Sequence, residues 1–99
     1  MMYLNDLDIP ANQNEVIRVE KRDVRDNRQL TNILIRTVSD TRTYYSIGVF
    51  AAPETDPASD CRLVTDISGD AQEAEALFEK IAESEVFPYC LDEVLSDLL

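Results

Sequence analysis

One stretch limits the fold of this chain more than any other. Residues 61–82, CRLVTDISGDAQEAEALFEKIA, read as a strand that runs into an amphipathic helix through Ser68-Gly69-Asp70. Cys61, Leu63, Thr65 and Ile67 alternate with Arg62, Val64 and Asp66, the period of a half-buried strand. Gly69 supplies a permissive backbone at the corner. Asp70 offers an oxygen to the first free helical N–H groups, and Glu73 follows at the spacing of a capping box. At about 100° per residue, Ala71, Ala74, Leu77, Phe78, Ile81 and Ala82 fall on one arc of roughly 140°. An arc of that width needs a surface to cover. The sheet that contains its own preceding strand is the nearest one.

Three further strands precede this unit. Residues 15–24 (EVIRVEKRDV) place Ile17 and Val19 on one face and Val16 and Arg18 on the other. Their charges suit an edge, where they discourage stray pairing. Arg25-Asp26-Asn27-Arg28 is a turn, because Asp and Asn tolerate left-handed backbone. Residues 30–38 (LTNILIRTV) form a strand rich in Ile and Thr. Ser39-Asp40-Thr41-Arg42 closes a second hairpin. Residues 44–52 (YYSIGVFAA) are apolar on both faces, which places this strand centrally; Gly48 marks a close approach or a bulge. Residues 53–60 (PETDPASD) make a polar loop.

After the long helix, Ser84-Glu85-Val86-Phe87 connects to a final helix with Pro88 in its first turn, where the missing N–H costs nothing. Cys90, Leu91, Val94, Leu95 and Leu98 share one half of that helix. Short connections favour antiparallel neighbours. The expected fold is therefore α+β: a four-stranded antiparallel β-meander followed by two C-terminal α-helices packed on one sheet face. Residues 15–99 form that single domain. Residues 1–14, with Pro10 and several amide side chains, read as a loosely held N-terminal arm. Tyr44, Phe50 and Val64 give the sheet a second apolar face, and that face points to a homo-oligomer.

Charge narrows the function. The chain has 99 residues, net charge −11 and no His. Such a balance disfavours direct binding of nucleic acid or an anionic membrane, both of which need clustered Lys and Arg. The charge is also uneven: residues 15–42 carry seven basic and five acidic groups, whereas residues 43–99 carry Arg62 and Lys80 against thirteen acids. Cys61 and Cys90 lack metal or redox spacing and read as reduced core thiols. The first residues lack the basic and apolar regions of a signal peptide. No stretch reaches the roughly 20 apolar residues of a membrane span. A cytoplasmic location follows as the expectation.

The order Tyr45-Ser46-Ile47-Gly48-Val49, Val64-Thr65-Asp66-Ile67-Ser68, Asp70, Leu77, Ile81, Pro88, Leu91-Asp92-Glu93-Val94 and Leu98 resembles a small family of clostridia-like bacterial proteins, a domain of unknown function. The resemblance spans residues 30–99. The chain departs from the pattern at Tyr89-Cys90, where a polar residue and His are usual, and at Phe87, where a capping Ser is usual. The resemblance implies an α+β fold and a cytoplasmic location. It implies no activity and no functional residues.

Catalytic patterns are sparse. Without His, the commonest general base and metal ligand is missing. Two glycines cannot build a phosphate-cradling loop. Asp66 and Asp70 flank the strand-to-helix corner with Glu73 one turn on, a set that could divide acid and base roles or hold a hard cation. The plainer reading is a helix start, whose positive dipole end favours acids. The sharper feature is Glu75, Glu79 and Glu83, a helical i, i+4, i+8 stripe with only Lys80 beside it in sequence. Its plain reading is a solvated face. Its functional reading is an acidic surface for a basic protein partner, and its charge spacing also admits nucleic-acid mimicry. The sequence therefore predicts a non-enzymatic, self-associating interaction module that uses no cofactor. A carboxylate-based cation-binding protein or small enzyme is the runner-up.

Overall fold

The computed structural model describes residues 13–24, 27–53 and 60–99. Four strands, β1 (Gln13–Val24), β2 (Arg28–Val38), β3 (Thr43–Ala52) and β4 (Cys61–Ser68), form one sheet in the order β1-β2-β3-β4. Every neighbouring pair is antiparallel. Helix α1 (Ala71–Glu83), a 3-10 turn at Pro88–Cys90 and helix α2 (Leu91–Leu98) complete the chain. The meander with two C-terminal helices on one face is the architecture the alternating and helical periods require.

β1 begins two residues before the expected edge of the arm. Gln13 pairs with Val38 and Asn14 with Thr37, and the Thr37 hydroxyl donates to Asn14 Oδ1 at 2.7 Å. The rest of the expected arm, residues 1–12, lies outside the described residues, as do 25–26 and 54–59. In the first turn, Asn27 takes the left-handed backbone expected of it (φ 58°). In the second, Ser39 Oγ accepts from the Arg42 N–H at 3.1 Å, and the Ser39 N–H donates to the Arg42 carbonyl at 2.9 Å.

Cross-strand partners share a face, so the register assigns the side chains. Leu30, Leu34, Tyr45, Ile47, Val49 and Ala51 face the helices and bury against Ala74, Phe78, Ile81, Leu91 and Leu95. Phe78 is fully buried, which contributes about 1.5–3 kcal/mol.

Two bulges overturn the alternation expected of the outer strands. Val16 opposes Ile35 but Arg18 opposes Leu34, so Ile17 is an extra residue on β1. One added residue reverses which side follows. Ile17 and Arg18 consequently both lie on the helix side, and Val16 and Val19 on the other. In β4 the register jumps between Ile47↔Val64 and Tyr45↔Ser68. Val64 and Ile67, expected on opposite faces, both pack on the helix-side core.

The second sheet face also differs from expectation. Val64 has left it. Ile35 and Thr37 are fully buried there, and Ile33 and Ser46 nearly so. The middle of that face is closed within a single chain, with Tyr44 and Phe50 half-buried beside it.

At the strand-to-helix corner, Asp70 Oδ1 accepts from the Gln72 N–H at 2.8 Å and caps α1. The reciprocal bond comes from Ser68, whose Oγ accepts from the Asp70 N–H at 3.0 Å, and not from Glu73. Gly69 does not take a left-handed φ; the left-handed residue of this unit is Asp66, in the bulge (φ 57°).

Candidate interaction groove

The β1 bulge and the first turns of α1 enclose one feature with mixed chemistry. Ile17, placed on the helix side by the bulge, meets Ala71, Gln72, Glu75, Ala76 and Glu79 around an open groove of about 420 Å³. The helical period sets one wall, because residues 72, 75, 76 and 79 fall on neighbouring turns of the same face. Small side chains at 71 and 76 leave the room. The floor is apolar and one rim carries two carboxylates.

Arg18 organises that rim. Its guanidinium donates to Glu75 at 3.1 Å and lies 3.8 Å from Glu79. It also lies over the Phe78 ring, 5.2 Å from the centroid. Glu75 and Glu79 would repel at this spacing, and a cation between them relieves the repulsion. The stack on Phe78 adds about 0.5–1 kcal/mol. Of the sequence-predicted stripe, Glu75 and Glu79 are thus gathered at the groove, while Glu83 is exposed and is not part of its lining. Ile17 and Arg18 are the members that the sequence did not reveal, because the bulge that turns them inward has no local signature.

Asp66, Asp70 and Glu73 do not converge. Asp66 takes both terminal nitrogens of Arg42, with Arg42 Nη1 at 3.1 Å from Asp66 Oδ1. Hydrogen bonding to Asp66, and then its charge, push the Arg42 guanidinium above its usual range. Asp92 does the same for Arg62, which donates to it through Nε at 3.0 Å and Nη2 at 2.6 Å. A raised arginine pKa adds stability that is complete below the ordinary arginine range and lost only above it, so these pairs lend no pH dependence near neutrality. Asp70 is occupied by its cap. Among the described residues, no three His, Cys, Asp or Glu side chains gather in a way that could hold a metal ion.

A second ion pair is more deeply set. Arg28 Nη2 donates to Asp60 at 2.7 Å, and Asp60 is 4% exposed. Arg28 also lies 5.6 Å from the centroid of the Phe87 ring. It ties the β2 start to the β4 start and to the segment before the 3-10 turn. The pair acts as a clasp between these segments. Cys61 and Cys90 are half-buried.

No described helix is long and apolar enough to cross a membrane. Set against protein-family models, curated proteins and solved structures, the chain matches none.

Proposed function

We propose that this protein is a small acidic, non-enzymatic interaction module that receives a basic segment of a partner protein. The observation that carries the reading is the groove itself: an apolar floor of Ile17, Ala71 and Ala76 beside the carboxylates of Glu75 and Glu79. An apolar side chain of the partner fills the floor, and a flanking Lys or Arg meets the rim. Glu75 and Glu79 keep 44% and 58% of their side-chain surface exposed despite Arg18, so they retain lone pairs for a second cation. Net charge of −11 steers a basic partner toward the molecule. Two of the three carboxylates considered for acid–base or cation chemistry, Asp66 and Asp70, are spent on Arg42 and on the helix cap, which favours binding over catalysis. Two cysteines far apart in sequence, without a CxxC spacing, fit a reducing, cytoplasmic setting.

A peptide-display selection against the immobilised protein tests the reading. Enriched peptides should pair a bulky apolar residue with Arg or Lys within about one helical turn of it. Ala76→Arg, an exposed substitution that fills the groove and occupies its rim, should weaken those peptides at least about tenfold. Enrichment without basic residues, or binding indifferent to Ala76→Arg, would remove the groove from consideration.

A further inference from the structure

β1 is an outer strand of the sheet, and among the described residues no strand lies beyond it. It is twelve residues long, and an edge strand of that length offers a row of backbone donors and acceptors to another strand. We infer that the occupant of this edge is β1 of a second copy of the chain, paired antiparallel about a two-fold axis to give one continuous eight-stranded sheet.

Charge singles out this surface. The molecule as a whole carries −11, and two copies repel over most approaches. β1 does not share that excess: Glu15, Glu20 and Asp23 are balanced by Arg18, Lys21 and Arg22. The neighbouring strand β2 contributes Arg28 and Arg36 and no acid. The acids concentrate beyond residue 43, most heavily in and around the two helices. The β1 edge is therefore where two like-charged molecules meet without net repulsion.

Symmetry then selects the register. In an antiparallel pair, residues directly opposite share a face, so a two-fold axis normal to the sheet must pass through a residue that opposes its own copy. Within the regular stretch from Arg18 to Val24, an axis on Glu20, Lys21, Arg22 or Asp23 would set a charge against itself. An axis on Glu20 would also set Arg18 against Arg22. Only Val19 and the terminal Val24 are uncharged. An axis on Val19 places Arg18 of each copy opposite Glu20 of the other, two attractive pairs around one apolar contact. Val19 is 52% exposed and Val16 is 39% exposed, both on the side away from the helices. Pairing at Val19 extends the apolar row formed with Ile33, its partner on β2. The axis keeps the helices of both copies on the same side. The two grooves, each built on Ile17, then lie side by side along the join.

This inference stands apart from the groove-binding reading, since it is tested with no partner present. Sedimentation equilibrium of the full chain should give twice 11.2 kDa. Val19→Lys, which sets ammonium against ammonium on the axis, should return the mass to 11.2 kDa with an unchanged circular dichroism spectrum. Glu20→Arg, which turns both attractive pairs repulsive, should do the same. In a Cys61→Ser, Cys90→Ser background, Val19→Cys should cross-link to a covalent dimer under mild oxidation, and Lys21→Cys should not. A wild-type chain of 11.2 kDa at about 0.5 mM would overturn the inference. So would a dimer that survives both Val19→Lys and Glu20→Arg, and cross-linking at Lys21→Cys in place of Val19→Cys would overturn the register.

Discussion

Glu85 shows how a single residue can carry a cost that its neighbours do not remove. It follows the last turn of α1 with φ of 52°, and its N–H lies 3.4 Å from the Ala82 carbonyl. A left-handed residue at this point ends a helix well, but glycine takes that conformation without the clash of a Cβ. Glu85 is exposed and adds a further acid to an already acidic helix end, whose dipole favours cations. Glu85→Gly should therefore raise stability by about 0.5–1 kcal/mol in urea unfolding; a loss would show that the side chain has a partner in solution. The two glycines make the converse point. Gly69 looked like the corner residue in sequence, yet it has no left-handed φ, and among the described residues a Cβ there would meet only the Thr43 carbonyl, at 3.6 Å. Gly48 marks the close approach expected of it: a Cβ would stand 3.0 Å from Ile33 Cγ1 and 3.4 Å from Leu63 Cδ1. Residue type alone signals that a backbone can be unusual, not which neighbour makes it so.

At the scale of elements, strands and helices were legible because their periods survive in the sequence. The run YYSIGVFAA could only be a central strand, and the arc from Ala71 to Ala82 needed a sheet. Bulges were not legible. They arise where a neighbouring strand fixes the register at two points and the intervening residues differ in number, a property of the pair and not of either strand. The missed members of the candidate groove follow from that single blind spot: with strict alternation, Ile17 and Arg18 point to opposite sides, and the acidic stripe of α1 has no cation to meet. The stripe itself was legible as Glu75, Glu79 and Glu83, but its division into two held carboxylates and one free of the groove was not. Arg18 is accordingly the residue that joins β1 to α1. Arg18→Ala should cost about 1 kcal/mol, combining a surface ion pair of up to about 1 kcal/mol with the lost stack on Phe78. Arg18→Lys should recover only part of it, because an ammonium does not stack as a guanidinium does. The measurement is urea unfolding at low and high salt; a full rescue by Lys would show that charge alone matters.

At the scale of the whole molecule, the decisive property is the separation of charge along the chain. Arg18, Lys21 and Arg22 lie on β1 and Arg28 and Arg36 on β2, whereas thirteen acids with only two cations occupy residues 43–99. Five arginines, at 18, 28, 36, 42 and 62, hold ion pairs that reach across this divide or along it. Among the described residues they engage six acids, Glu15, Asp60, Asp66, Glu75, Glu79 and Asp92, too few to balance a net charge of −11. Apart from Arg28–Asp60, these pairs are substantially exposed, and exposed pairs add little to stability. The excess acids therefore set the response to ionic strength. Raising NaCl from about 20 mM to about 500 mM shortens the screening length from about 20 Å to about 4 Å. Repulsion among the helix carboxylates should weaken more than the short ion pairs do, because the repulsion acts over longer distances. The midpoint of thermal unfolding, at fixed protein concentration, should rise with salt; a gain of about 1 kcal/mol would move it by about 4–8 °C. Replacing Glu79 and Glu83 by Gln should flatten that rise, since it removes part of the excess that salt would otherwise screen. A midpoint that falls with salt would mean that the ion pairs outweigh the repulsion, and that the arginines of the β1–β2 side hold the two charged halves together more firmly than their exposure implies.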